Sequence, residues 1–585
     1  MYIEKMILSN FRCFSEDEEA IFFERDITCL VGNNGSGKTA LLVALKRLFG
    51  TTRDDRTVIR DDFHIRPDEE YREIYGRQMT LDVYFSFPEL KQDASKARDV
   101  CPAFSSVIFA DEDDNNLKAR MRLEARWDTT EYEDEVQSAI YWVTTSAQIE
   151  FGDDSEFKFS VSNADRKNIR LRYIPAFRDS KATLKNEVSS LTKILEDYSD
   201  ITSEIQEEIE ALSDALSKEI QALESIDTVV GLLEKVWNKA HDETLKHYQE
   251  PQLEATSSNV GDLLKSMTLK LAPSEDGSSR DISDLSDGQI SLLYFSLSIA
   301  LYEIEQKHFA GKLKGFRELD RDIPVFTIFA YEEPENHLSP FYLGRVIALL
   351  QSKTRSRRAT GLITSHSPSV VRRMNRVEQI RHFRQEVDQN KRYSVVSKVS
   401  LPNQKTSEDY KYISQAVLAH PELYFSKLVV LGEGASEEIV IPRLAECLGF
   451  DLDPSFVSFV PLGGRHVNHM WRLLSDLSIP FLTLLDLDLG RLNAGQDRIL
   501  YVIKELEQIG ENFSFPDTVS EDLLNDEWLS EEQFDTILEE LENNGVYFSF
   551  PLDFDMALIR AFPDAYDASA AKADKRENLE AAVLG

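Results

Sequence analysis

The chain has 585 residues, too many for one ordinary hydrophobic core, so two or three domains are expected. Hydrophobic residues make up 42% and aromatic residues 10%, which excludes a largely disordered chain. With 103 acidic against 66 basic residues the formal charge is -37, which argues against a uniformly nucleic-acid-binding surface and leaves only local patches for that contact.

Cysteine is sparse, at Cys13, Cys29, Cys101 and Cys447, with no pair at zinc-ligand spacing, and reads as reduced thiol. The opening MYIEKMILSNF has no long apolar region, and no segment supplies the roughly 20 apolar residues of a spanning helix. A cytoplasmic address without membrane contact is the expectation.

The first informative element is Asp26 to Phe49, DITCLVGNNGSGKTALLVALKRLF: an apolar strand, a glycine-rich turn, then a helix with apolar spacing. This is the setting a phosphate-binding loop requires. Gly32, Gly35 and Gly37 allow backbone amides to approach phosphate oxygens, Lys38 reaches the β and γ oxygens, and the Thr39 hydroxyl suits magnesium. Asn34, Gly35, Ser36, Gly37, Lys38 and Thr39 form the candidate ATP-binding set.

Strands are expected near Met79 to Phe87, Leu117 to Trp127 and Ser138 to Thr145. Between Asp179 and about Thr256 the texture becomes polar and helix-favouring, with no proline from Ala182 to Glu250. Two readings of this insertion stand: a hairpin that mediates dimerisation, or a solvated helical lid. From Asp284 the chain reads DLSDGQISLLYFSLSIAL, which places Ser286, Gly288 and Gln289 at a helix start, where free amides and a positive dipole end face outward. By itself this is equally an ordinary capped helix.

The segment IPVFTIFAYEEPENHLSP is a β-rich strand ending in two carboxylates. Glu332 suits a magnesium ligand, and Glu333 suits the group that polarises an attacking water. Next, GLITSHSPSVV delivers His366 after another apolar strand, placed to contact a γ-phosphate. Taken in the order Lys38, Ser286, Glu333, His366, the chain resembles an ABC ATPase head of the structural-maintenance and RecF-like kind, to which NFRCF at Asn10 is also a familiar opening. The resemblance implies a head dimer with ATP between two copies, and larger homo-oligomers through the insertion. The insertion is too short for the arms of chromosome-organising ATPases.

A second α/β pattern begins at YFSKLVVLGEGASEEIVIPRLAECLGF, where an apolar strand delivers Glu433 and a following helix holds Glu437. Alone, such a fragment is more often a helix start than a metal site. The strand IPFLTLLDLDLGR then runs into Asp486 and Asp488, which strand alternation puts on one side, and NNGVYFSFPLDFDMALI repeats the arrangement with Asp553 and Asp555. Buried carboxylates are costly unless cations or donors meet them, so metal binding is the economical explanation.

These three acidic sites resemble the Toprim domain of topoisomerases, primases and certain nucleases. A Toprim domain behind an ABC head resembles the OLD (overcoming lysogenization defect) family of endonucleases, which includes the nuclease subunit of the Gabija antiphage system. YIPAFRDS at Tyr173 and EEPENHLSP at Glu332 also read like that family. The resemblance implies an α/β chain with an ABC-type head at 1–180 and 257–400, a helical insertion at 181–256, and a Toprim nuclease domain at 420–585. It makes Glu433 a metal ligand or general base with Glu437 beside it, gives Asp486 and Asp488 the shared metal region, and completes a second site with Asp553 and Asp555. Magnesium or manganese would serve. The catalytic set is therefore Glu333, Glu433, Asp486 and Asp488.

The family also carries a lysine after the last acidic motif. Lys572 and Lys575 are candidates, as is a lysine beyond Gly585. Basic residues at Lys353, Arg355, Arg357 and Arg358, and at Arg372, Arg373, Arg376, Arg381 and Arg384, read either as DNA phosphate contacts or as surface solubility. The expected function is a metal-dependent DNA endonuclease regulated by an ATPase head in antiphage defence, with a separately encoded helicase as a candidate partner. A RecF-like repair ATPase with a non-cleaving Toprim fold, and a nucleotide-sensing scaffold, are the alternatives.

Overall fold

The computed structural model describes residues 1–565 apart from 70–74, 93–103, 130–133, 177–179, 222–259, 272–279, 282–284, 313–323, 400–409, 411–413, 463–466, 521–523, 525–528 and some isolated or paired positions. The fold is α/β, with a mostly parallel six-stranded sheet in the N-terminal part and a parallel four-stranded sheet in the C-terminal part. Three sheets do most of the positioning. The N-terminal strand Tyr2–Ser9 pairs antiparallel with Glu19–Phe22 and Arg77–Ser86, and the sheet continues through Leu117–Thr129, Asp134–Val143 and Lys158–Ser160. The expected strands lie within this sheet.

The second sheet is built around Ile27–Val31, the strand that feeds the phosphate loop. Ala359–Ser365 pairs with it in parallel on one side and Ile380–Asp388 on the other. Phe326–Glu332 and Ile169–Ile174 extend the parallel array, and Lys391–Lys398 closes the far edge antiparallel. All three central strands, ITCLV, FTIFAYE and ATGLITS, are buried along their whole length. Continuous apolar runs are what a parallel sheet covered on both faces selects.

Alternation divides these strands between two apolar cores. Leu30, Phe326, Ile328 and Ala330 pack with the antiparallel sheet. Ile27, Cys29, Val31, Phe329 and Tyr331 face the other way, into a core that also holds Leu285, Tyr294 and Phe295 of the helix Asp287–Phe309 and its capping region. That second core does not stop at the head. It continues through Tyr424, Val429, Leu431 and Trp471, so the C-terminal region packs on the six-stranded sheet through shared apolar contact.

The C-terminal sheet has four parallel strands in the order Val457–Pro461, Leu428–Gly432, Phe481–Asp486, Val546–Ser549. Helices Ala435–Cys447 and Val467–Asp476 flank it, and Trp471 donates from Nε1 to Thr483 Oγ1 at 2.8 Å inside the core. Of the expected insertion, helices Ser180–Tyr198 and Ser203–Gln221 are described, with Leu184 buried against the core that holds Asp287–Phe309. Residues 222–256 of the insertion, and the polar crossing at Asn403 to Glu408, lie outside the described residues.

Polar contacts also tie the regions together where the apolar core passes between them. Asn33 of the phosphate loop donates from Nδ2 to the Phe425 carbonyl at 3.0 Å. His382, opposite Val31 in the sheet, donates from Nε2 to the Tyr424 carbonyl at 2.9 Å, while its Nδ1 lies 3.3 Å from the Leu477 carbonyl. Burial pushes the His382 pKa from 6.5 down to about 4, despite the carbonyls that favour the charged ring. The unfolded chain therefore binds this proton first on acidification, and the stability of the neutral buried ring is lost as pH falls from about 6.5 toward 4. His382→Gln, which retains a donor for Tyr424 but cannot titrate, should lose less melting temperature than wild type between pH 7 and pH 5, as read by differential scanning calorimetry.

Candidate functional site

The phosphate loop is shaped by positive φ at its glycines. Gly37 sits at φ 104 as the N-cap of helix Lys38–Phe49, where a Cβ would come within 2.9 Å of Cys13 Sγ and Ser394 Oγ. At Gly35, φ is 80 and a Cβ would meet nothing, so conformation alone requires that glycine. Lys38 is buried and donates from Nζ to the carbonyls of Gly32 at 2.6 Å and Asn33 at 2.8 Å. Burial lowers its pKa, with Glu333, Glu335 and Glu332 pulling the other way. Among the described residues, the buried Ser36 Oγ meets no hydrogen-bond partner, as a loop built to present donors to phosphate requires. Asn34 is exposed beside it.

The residues expected to hold magnesium on this side meet directly. Thr39 Oγ1 donates to Glu332 Oε1 at 2.7 Å, across the gap between the loop helix and the neighbouring strand. This hydroxyl and carboxylate fit a hard, oxygen-ligated ion. Tyr173 donates its hydroxyl to the other Glu332 oxygen, and Lys46 Nζ lies 3.4 Å from the centre of its ring. Burial and the Glu332 charge raise the Tyr173 pKa, which keeps the phenol a donor.

Glu333 takes a left-handed conformation, φ 44, unusual for a residue with a side chain. Its amide donates to the Thr364 carbonyl at 3.0 Å, and Asn336 Nδ2 donates to its Oε2 at 3.0 Å. His366 Nδ1 stands 3.2 Å from Glu333 Oε1 and 3.5 Å from Glu335 Oε1. Glu335 accepts from Ser365 Oγ at 2.7 Å and from the His366 amide at 3.0 Å. The two strand ends are thereby fastened to each other. Ser286 caps its helix with Gln289 as capping-box partner, and both are exposed with Gly288 partly covered between them. These three face outward, which suits completion of a site from outside the chain.

In the acidic cleft, Gly432 ends its strand where a Cβ would lie 2.2 Å from the Phe459 ring, so glycine is required by close approach. Glu433 Oε2 accepts from the Asp486 amide at 2.8 Å, which joins two adjacent parallel strand ends. Asp486 Oδ1 accepts from Ser549 Oγ at 2.7 Å and the Phe554 amide at 3.0 Å. Burial first, then the neighbouring Glu433 and Glu437, raise the Asp486 pKa to about 6, against the lowering effect of those donors.

Other expected members are placed differently. Glu437 is buried with Oε2 accepting from the Gly434 amide at 3.0 Å, the N3 position of a helix start. Asp488 lies beyond the strand end at φ 51, so strand alternation does not govern its direction. Asp553 is no strand-end ligand: its strand stops at Ser549, and its carboxylate caps the helix Phe554–Ala561 by accepting from the Met556 amide at 2.9 Å. Asp555 is exposed in the first turn of that helix. Lys572 and Lys575 lie outside the described residues.

Two arginines that carried no motif also stand among the acids. Arg498 Nη2 donates to Glu433 Oε2 at 2.6 Å and its Nη1 to Asp488 Oδ2 at 3.3 Å. Arg491 Nη1 donates to Asp488 Oδ1 at 2.6 Å, and its Nη2 is 3.6 Å from Asp553 Oδ2. Among the described residues, no group of three or more His, Cys, Asp or Glu side chains is arranged to hold a metal ion. Guanidinium groups meet part of the charge of the expected acidic residues.

Part of the second basic cluster also has structural partners. Arg381 is buried and donates to the carbonyls of Phe22, Glu378 and Ile380, Arg376 pairs with Asp26 at 2.8 Å, and Arg373 donates to Ser369 O. Arg381 is thereby committed to the fold, while the Arg376 side chain stays 36% exposed. Among the described residues, no helix is long and apolar enough to cross a membrane.

Residues 1–371 match a family model described as AAA ATPase domain, and residues 424–488 match one described as Overcoming lysogenization defect protein-like, TOPRIM domain. Among solved structures, the chain is similar to an SMC head bound to the C-winged helix domain of ScpA, at 13% identity and TM-score 0.34, covering 68% of this chain and 99% of that one. A Pyrococcus furiosus structure, the Smc head domain with an extended coiled coil bound to the C-terminal domain of ScpA, gives 14% identity, TM-score 0.33 and coverage of 68% and 96%. The SMC head domain of Thermotoga maritima gives 13%, 0.29, 68% and 100%. No curated protein matches the chain.

Since the folded state holds a proton on Asp486 up to about pH 6, and the unfolded chain only up to about 3.8, ionisation weighs against folding as pH rises through that window. Asp486→Asn keeps an acceptor for Ser549 and Phe554 without the charge. In EDTA at pH 8 it should melt higher than wild type by roughly 2 °C, with the gap closing below pH 4.

Proposed function

Because the chain belongs to the AAA ATPase domain family and carries an OLD-like TOPRIM domain behind that region, we propose that it is a metal-dependent DNA endonuclease governed by nucleotide. The observation that carries this reading is the convergence of Glu433 and Asp486 at adjacent parallel strand ends, on a sheet packed against the nucleotide-binding core. Strand C-termini of such sheets are where ligands bind.

The head's chemistry divides among its own residues. Lys38 and the loop amides hold the phosphates, Thr39 and Glu332 stand together on the magnesium side, Glu333 polarises water, and His366 senses the γ-phosphate from its place between Glu333 and Glu335. Outward-facing Ser286, Gly288 and Gln289 support a homodimer in which each copy completes the other's nucleotide site, with larger assemblies through the helices of 181–256. In the C-terminal unit, 420–585, divalent magnesium or manganese would supply Lewis-acid chemistry for phosphodiester cleavage. Glu433 and Asp486 are the carboxylates best placed to take part. Antiphage defence in the cytoplasm, alongside a separately encoded helicase, is the biological setting that this combination supports.

One observation favours a second reading. Arg498 pairs with Glu433 and Asp488, and Arg491 with Asp488, an arrangement suited to a RecF-like ATPase whose Toprim fold binds nucleic acid without cutting it.

Plasmid cleavage with magnesium or manganese, run beside ATP turnover, separates the two. Wild type should nick or cut, Glu433→Ala should abolish cutting with turnover intact, and Glu333→Gln should slow turnover on the order of 100-fold or more. Wild type that turns over ATP yet never cuts points to the repair reading, and cutting unaffected by Glu433→Ala points to a contaminant.

A further inference from the structure

Arg498 occupies a place that helix energetics disfavour. It is the third residue of the helix Gln496–Gln508, in the first turn, where the positive end of the helix dipole opposes a cation. The helix start is held there by the backbone: Gly495, at φ 64, donates from its amide to the Leu487 carbonyl at 2.8 Å, next to the strand end that carries Asp486. The side chain is mostly buried, at 13% exposure. Glu433, next to one strand end, and Asp488, two residues past another, supply the opposing charge.

The planar guanidinium spans both carboxylates, with Nη2 on Glu433 Oε2 at 2.6 Å and Nη1 on Asp488 Oδ2 at 3.3 Å. Asp488 then has neither oxygen free, because Arg491 Nη1 holds its Oδ1 at 2.6 Å. Glu433 Oε2 is doubly engaged, since the Asp486 amide donates to the same atom at 2.8 Å. An oxygen-ligated magnesium ion requires carboxylate oxygens at about 2.0–2.1 Å, a distance that a guanidinium on the same oxygen prevents, and Glu433 Oε2 and both Asp488 oxygens are held in this way. Ion and arginine thus compete for the same two carboxylates.

We propose that Arg498 is a latch on the acidic cleft: its guanidinium holds Glu433 and Asp488 as a cation-satisfied pair, and a divalent ion must displace it before drawing on both. The inference rests on the nuclease reading for the identity of the ion. Arg498 is a positioning residue in this scheme, acting through the carboxylates it holds. Arg491 secures Asp488 from the other side, but at 45% exposure its pairing is screened by solvent and is the weaker restraint.

The test is direct manganese binding to the full chain at pH 8 without nucleotide, read as free Mn2+ by electron paramagnetic resonance. Arg498→Gln should bind at least about tenfold more tightly than wild type, since the competitor of a charge-assisted pair is gone. Arg498→Lys, a point charge that cannot span both carboxylates in one plane, should fall between them. Glu433→Ala should remove the site in every background. A purely structural role for Arg498 predicts weaker binding on its removal, so equal or weaker affinity in Arg498→Gln overturns the latch. If no protein shows a Glu433-dependent site, the metal-nuclease reading falls, and the latch with it. Far-UV circular dichroism checks folding; should Arg498→Gln not fold, Arg498→Lys answers instead, with affinity no greater than wild type overturning the proposal.

Discussion

The strand Ile27–Val31 is the constraint on which the rest depends. It is flanked in parallel by Ala359–Ser365 and Ile380–Asp388, and its side chains divide between two apolar cores. Its C-terminal end becomes the phosphate loop. The strand on one side ends at Ser365, just before His366; the one on the other carries His382, which meets the C-terminal region. A displacement of this strand would therefore be felt by the nucleotide loop, the histidine beside Glu333, and the contact at Tyr424 together. Close packing leaves it little room to move independently of them.

Asn33 makes this coupling specific. It lies within the nucleotide loop, and its side chain donates to Phe425, eight residues before Glu433 along the chain. The strand Leu428–Gly432 spans most of that interval and is hydrogen-bonded on both sides. Rearrangement of the loop around phosphates thus has a short, stiff route to the acidic cleft, through one hydrogen bond and one central strand. The shared apolar core beneath it supplies the rigidity that a lone hydrogen bond of about 1 kcal/mol could not.

Legibility followed how local each feature is. Lys38, Thr39 and Glu333 lie in contiguous motifs whose strand and helix setting repeats in the hydrophobic pattern, and the structure brings Thr39 to Glu332 across nearly three hundred residues. Glu433 and Asp486 were readable for the same reason, each ending an apolar strand. Asp488 and Asp553 were misplaced because alternation was extended past the strand ends, where a left-handed residue and a helix cap take over. Tyr173 reaches Glu332 only because its strand pairs with Phe326–Glu332, a nonlocal choice that leaves no local periodic signal. Arg498 carries no motif at all. Its position follows from a helix start folded back on a strand end, and one arginine in a helical pattern looks like any solvated cation.

The two sites are stabilised by different physics, and that difference bears on how each responds to its ligand. Around the nucleotide, the protein uses hydroxyls, amides and carbonyls: Thr39 on Glu332, Ser365 on Glu335, Lys38 on its own loop. Each of these bonds joins one charged and one neutral group and contributes about 1.5–3 kcal/mol, and a phosphate with its ion offers replacements. In the acidic cleft the restraints are ionic and partly buried, Arg498 with Glu433 and Asp488. Removing one partner of such a pair leaves an uncompensated charge, which is far more costly than exchanging it for another cation. Opening the cleft is therefore favourable only when a cation arrives as the guanidinium leaves. In a chain of formal charge -37, tying the two events together keeps the carboxylates of that cleft from repelling one another while the site is at rest.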